Sequence, residues 1–137
     1  MKNLKVFIAI YIVAMLLTAC GGTGAGDQSV KLDGTSWVLT AFNKNKPVDG
    51  RQPTIAFEDG QASGTTGCNS YGGDYELDGE KIGFGAMFMT EMWCEDVADQ
   101  EMVYLDLLNQ AESFQIVDGV LTIFCGPQQT LTFVLVE

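Results

Sequence analysis

Short alternating runs dominate this chain. Residues 35–42 place Trp37, Leu39 and Ala41 on one face of an extended segment. Residues 54–57 and 61–65 flank Glu58-Asp59-Gly60 and read as a hairpin. The Asn, Pro and Gly content of residues 43–53 predicts a loop ahead of it. From residue 71 to 77, Tyr71, Gly73, Tyr75 and Leu77 point one way, while Asp74 and Glu76 point the other. Asp78-Gly79 then predicts a tight turn, and residues 81–85 return with Ile82 and Phe84 inward. Three more strands are expected over 113–117, 120–125 and 130–136, the last with Leu131, Phe133 and Leu135 on one face.

One segment changes period. Ala98, Met102, Leu105 and Leu108 step by four, three and three, which predicts an amphipathic helix that buries this stripe. Asp96 is the expected N-cap. Asp99 and Glu101 lie in the first turns, where the helix dipole favours anions. The helix is expected to stop near Gln110 or Ala111. Residues 86–95 show no period and are rich in methionine and aromatics. About eight short strands and one helix predict a mainly β (α+β) fold: a small antiparallel β-barrel-like sheet with one covering helix. Closing the sheet also removes apolar strand edges.

The first residues belong to a different physical class. Lys2 and Lys5 precede an unbroken apolar run over residues 6–17, which is shorter than the ~20 residues a spanning helix needs. Leu17-Thr18-Ala19-Cys20 follows and resembles a bacterial lipobox, in which the cysteine thiol is acylated and the chain is cut just before it. Residues 1–19 therefore read as a lipoprotein signal peptide and Cys20 as the lipid attachment site. Residues 20–32 read as a flexible Gly-rich tether, and 33–137 as one folded domain. The expected location is outside the cytoplasm, lipid-anchored to a bacterial membrane: the outer membrane of a diderm cell, otherwise the outer face of the cell membrane.

Charge narrows the partners. The chain carries 7 basic and 18 acidic residues, a net charge of −11, and the signal would take two of the bases with it. Nucleic acid and anionic membrane faces repel such a chain, so the lipid rather than a basic patch is expected to hold it at the bilayer. A monomer is expected.

Candidate chemistry is sparse. Histidine is absent, which removes Ser-His-Asp and Cys-His catalysis and the commonest zinc ligand. Gly67-x4-Gly72 has the glycine spacing of a phosphate loop, but Gly73-Asp74 stands where Lys-Ser/Thr belongs. Asp74-x-Glu76-x-Asp78-Gly79 imitates an EF-hand opening, but Gly85 occupies the twelfth position. No enzyme activity, cofactor or metal is expected. With Cys20 assigned to lipid, Cys68, Cys94 and Cys125 remain, and three single bridges are possible. Cys68 begins a strand and Cys94 precedes the helix. That pair is the favoured disulfide, with Cys125 a buried free thiol; a redox role is disfavoured because no Cys-x-x-Cys exists.

Three stretches together resemble the META domain, the HslJ-like family. They are Gly34-x-x-Trp37-x-Leu39, then Gly67-Cys68-Asn69-x-Tyr71-x-Gly73-x-Tyr75, then Thr90-x-Met92-x-Cys94 ahead of a helix with Gln100-Glu101. The chain departs from the family pattern in Trp93, in Glu95 after the cysteine, and in Cys125. The resemblance implies a β-rich envelope protein with one helix and no established catalytic activity. It also implies links to heat shock and to tolerance of novobiocin, and a fold similar to lipid-binding pilotins.

Two functions follow as expectations. The first is a non-catalytic, lipid-anchored domain that binds an envelope component in stress or antibiotic tolerance. Its candidate surface is Met87, Phe88, Met89, Met92 and Trp93, since methionine and aromatics make adaptable apolar contacts. The same residues suit a core beneath the helix, which is the more ordinary place for them. The second is a carrier of a lipid or small apolar ligand, by analogy with pilotins.

Overall fold

The computed structural model describes residues 32–136. The signal, Cys20 and all but the last residue of the tether lie outside the described residues. Nine strands and one helix follow in order: β1 (Thr35–Phe42), β2 (Thr54–Glu58), β3 (Gln61–Thr65), β4 (Ser70–Asp78), β5 (Lys81–Phe84), β6 (Phe88–Met89), α1 (Ala98–Asn109), β7 (Ser113–Val117), β8 (Val120–Phe124) and β9 (Thr130–Leu135).

Eight strands close a ring. The order β1-β2-β3-β4-β5-β7-β8-β9 is antiparallel throughout, and β9 returns to β1 through Leu39↔Phe133 and its neighbours. The fold is thus the mainly β barrel with one covering helix that the pattern predicts. Closure is thinnest between β5 and β7, where Lys81↔Ser113 is the sole ladder pair. Two more hydrogen bonds flank it: Ile82 N–H to Glu112 O (3.2 Å) and Phe114 N–H to Glu80 O (2.8 Å). The hairpin at Asp59-Gly60 has positive φ at both turn residues, and so does the one at Asp118-Gly119, which matches the strands' twist.

The barrel interior is filled by inward residues such as Trp37, Leu39, Phe57, Leu121 and Phe133, all at most 2% exposed. Leu32, the last residue of the predicted tether, is buried with them, and its carbonyl accepts from the Thr35 N–H. Three inward expectations fail at strand ends, among them Leu135, which is exposed where β9 ends while Leu131 and Phe133 are buried. A bulge between Leu39 and Ala41 breaks the alternation, leaving Ala41 half-buried. Leu77 is exposed because β4 runs past the core toward its turn.

The helix differs from expectation in two ways. Val97 rather than Asp96 is the N-cap, and no side chain caps it. Val97 is buried, which fixes where the chain turns into the helix, and Asp96 instead lies 3.4 Å from Arg51. The buried face is Gln100, Tyr104, Leu107 and Leu108; of the predicted stripe, Leu108 is buried and Leu105 packs half-buried against the core from its edge. Hydropathy ranks Met102 above Gln100 and Tyr104, but both polar side chains find partners inside. Met102 is turned outward and is 67% exposed.

Candidate functional site

The helix lies over the end of the barrel formed by the starts of β2 and β4 and by the loops at 43–53 and 66–69. Gln100 draws these together. Its Oε1 accepts from the Val48 N–H (2.7 Å), and its Nε2 donates to the carbonyls of Arg51 (2.8 Å) and Thr66 (3.1 Å). Deeper in, the Tyr71 hydroxyl donates to the Thr54 carbonyl (2.8 Å) and lies 2.6 Å from the Tyr104 hydroxyl. Since Tyr71 spends its proton on Thr54, Tyr104 donates to Tyr71. Burial pushes both phenols above their ordinary ionisation range.

The loop at 66–69 holds the segment before the helix. Asn69 is fully buried and uses both ends of its amide. Its Oδ1 accepts from Thr90 Oγ1 (2.8 Å) and the Met92 N–H (2.8 Å). Its Nδ2 donates to the Met92 carbonyl (3.0 Å) and to the Glu101 carboxylate (2.9 Å). Thr66 Oγ1 also donates to Glu101 and accepts from the Asn69 N–H. A disulfide joins Cys68 to Cys94, spanning 26 residues, and Cys125 is a buried free thiol. Among the described residues no buried side-chain polar atom lacks a partner. These polar groups therefore build a clamp and are spent on holding backbone.

The glycines of the signature are part of that clamp. Gly67 sits at φ +100°, and a Cβ there would come within 2.2 Å of the Arg51 carbonyl oxygen. Gly72 leaves its space to the Phe88 ring, 2.8 Å from where a Cβ would be.

What the clamp holds is an exposed apolar segment. Of the five predicted surface residues, only Met87 packs against the core. Phe88, Met89, Met92 and Trp93 are exposed, Phe88 to 71% and Trp93 to 81%. The ordinary expectation of a core beneath the helix is therefore wrong for four of the five. Their positions are fixed nonetheless: Met89 pairs with Tyr71 in β6, and Met92 is bonded at both its N–H and its carbonyl. Met89, Met92 and Trp93 form one bank of an open groove of about 510 Å³, and Met102 and Leu105 of α1 form the other. The last two are missing from the sequence reading because they were assigned to the buried stripe.

The META domain family model matches residues 30–137. No curated protein sequence matches the chain. Among solved structures, it is similar to an NMR structure of a protein from Burkholderia xenovorans: 28% identity, 80% of this chain and 87% of that one covered, TM-score 0.68. A second protein solved by NMR shares 23% identity, with 78% and 93% covered and a TM-score of 0.64. A crystal structure of a DUF4847 family protein from Bacteroides vulgatus shares 15% identity, with 77% and 95% covered and a TM-score of 0.59. The last two are likenesses of fold.

Proposed function

The chain belongs to the META domain family, and on that premise we propose that it is a non-catalytic docking domain of the bacterial envelope. Lipid on Cys20 holds it at the membrane, and the exposed face of residues 88–93 engages another envelope component. The observation that carries this reading is the pairing of exposure with fixity. Trp93 is 81% exposed, while the backbone beside it is tied down by Asn69 and by the disulfide. A fixed apolar surface loses little conformational freedom on binding, so more of its contact energy appears as affinity. A role in stress or antibiotic tolerance rests on the family resemblance.

The alternative of a carried lipid finds less support. Trp37, Phe57, Tyr104 and Phe133 occupy the barrel interior, where a carrier would keep its ligand.

A photo-crosslinking residue at position 93, compared in living cells with one at Glu58 on β2, tests the docking role. One envelope component captured at 93 and not at 58 is the expected result. The same diffuse capture at both positions overturns it. Metabolic palmitate labelling that is lost in Cys20→Ser tests the anchor.

A further inference from the structure

The groove has a chemical sign as well as an apolar floor. Its helical bank is a ridge of Ala98, Met102, Leu105 and Asn109, spaced four, three and four, so it follows α1 along its whole length. At about 1.5 Å per residue that is ~16 Å, or three turns. Acidic side chains border the ridge on both sides: Asp99 and Asp106 on one, Glu101 on the other. Glu91 and Glu95 are exposed in the same segment as Met92 and Trp93, outside the groove's lining. Neither bank contains a lysine or arginine, and the sequence holds none after Lys81. Arg51, which reaches this end of the barrel, faces Asp96 instead.

We infer that the groove takes a cationic amphipathic helix from a protein partner, its apolar face on Met89, Met92 and Met102 and its basic residues against the acidic rims. This inference rests on the docking role above and names the partner's chemistry. Three facts favour that occupant over others. One bank is a continuous helix of about three turns, and a partner helix of three to four turns matches its length. Three of its apolar contacts, Met89, Met92 and Met102, are thioethers, which adapt to varied side chains as a helix seats. Its carboxylates, with no lysine or arginine beside them, repel anionic lipid headgroups and acidic peptides and attract a basic segment. Glu101 does not move to meet the partner, because Asn69 and Thr66 hold it.

The test uses the full chain, methyl-labelled at methionine, in a neutral detergent. The probe is a synthetic fourteen-residue leucine–lysine helix, with a leucine–glutamate helix of equal length as its control. The expected result is a saturable shift of the Met89, Met92 and Met102 methyl signals with the leucine–lysine probe only, Met87 shifting least. Raised salt weakens the binding. Asp99→Asn with Asp106→Asn, both on the helix surface, weakens it roughly fivefold to tenfold. Equal shifts with both probes would leave the docking surface standing and overturn the cationic partner. No shift with either probe also overturns the cationic partner; the docking role itself stands or falls on the crosslinking comparison at positions 93 and 58.

Discussion

The hydroxyls of Tyr71 and Tyr104 meet 2.6 Å apart at the covered end of the barrel, one from β4 and one from α1. The contact has a direction, because Tyr71 already donates to the Thr54 carbonyl. The two phenols are therefore unequal as mutational targets. Tyr104→Phe removes a terminal donor and costs about 1 kcal/mol. Tyr71→Phe takes the donor from Thr54 and strands the fully buried Tyr104 hydroxyl, and costs about 2–3 kcal/mol. Urea denaturation of the two variants should rank them in that order.

Alkaline stability follows from the same burial. Desolvation raises Tyr71, Tyr104 and Tyr75 above the ordinary 10.0, with Asp33 and Asp59 adding to the effect at Tyr75. It also pushes the Cys125 thiol from 9.0 to about 12. These groups are neutral when protonated, and the unfolded chain gives up their protons first. Their stabilising effect is complete below pH 9 and declines as pH rises through the folded values. Denaturation midpoints should fall between about pH 9 and about pH 12. Phenolate absorbance should appear together with unfolding rather than ahead of it.

Asn69 cannot be replaced by its closest relative. Asn69→Asp loses the Nδ2 donor and places a second carboxylate against Glu101. A loss of about 3 kcal/mol or more is expected near pH 7. Hydrogen exchange at the Met92 amide, which Asn69 accepts, should quicken in this variant.

Breaking the covalent tie should loosen the protein without unfolding it. Replacing Cys68 and Cys94 together by serine reopens a loop of 26 residues. The expected loss is about 3 kcal/mol in the chain-entropy view. Asn69 still holds the segment, so circular dichroism should stay native while the melting temperature drops.

Two glycines separate crowding from mere flexibility. Gly67→Ala drives a Cβ into the Arg51 carbonyl at a positive φ and should cost about 3 kcal/mol or more. Gly83→Ala meets nothing within 4 Å, so it should change stability by at most about 0.5 kcal/mol. Thermal melts of the pair should differ by well over the error of measurement.

The sequence made the barrel readable because each of its eight ring strands alternates or is bounded by an Asp-Gly turn, signals that depend only on neighbours. The helix face was misread because Gln100 and Tyr104 are polar by composition but apolar in effect once Val48, Arg51, Thr66 and Tyr71 satisfy them. Partners that lie about 30 to 50 residues away leave no local trace. The same blindness hid β6, whose two residues carry no period. It also hid the groove, since Met102 and Leu105 join Met89 and Trp93 only in three dimensions. The family signature did mark the clamp, in Gly67, Cys68 and Asn69, but not what the clamp holds.

The direction of β1 carries a last consequence. Thr35 pairs with Phe57 beside the Asp59-Gly60 turn, and the strand then runs about 23 Å toward the end where α1 lies. Leu32 is therefore at one pole of the molecule and the groove is at the other. Whatever joins the domain through the residues before Leu32 therefore joins it at the pole opposite the acidic, methionine-lined one. The closed, filled barrel between them keeps the chain's entry and the groove a fixed distance apart, whichever way the domain is turned.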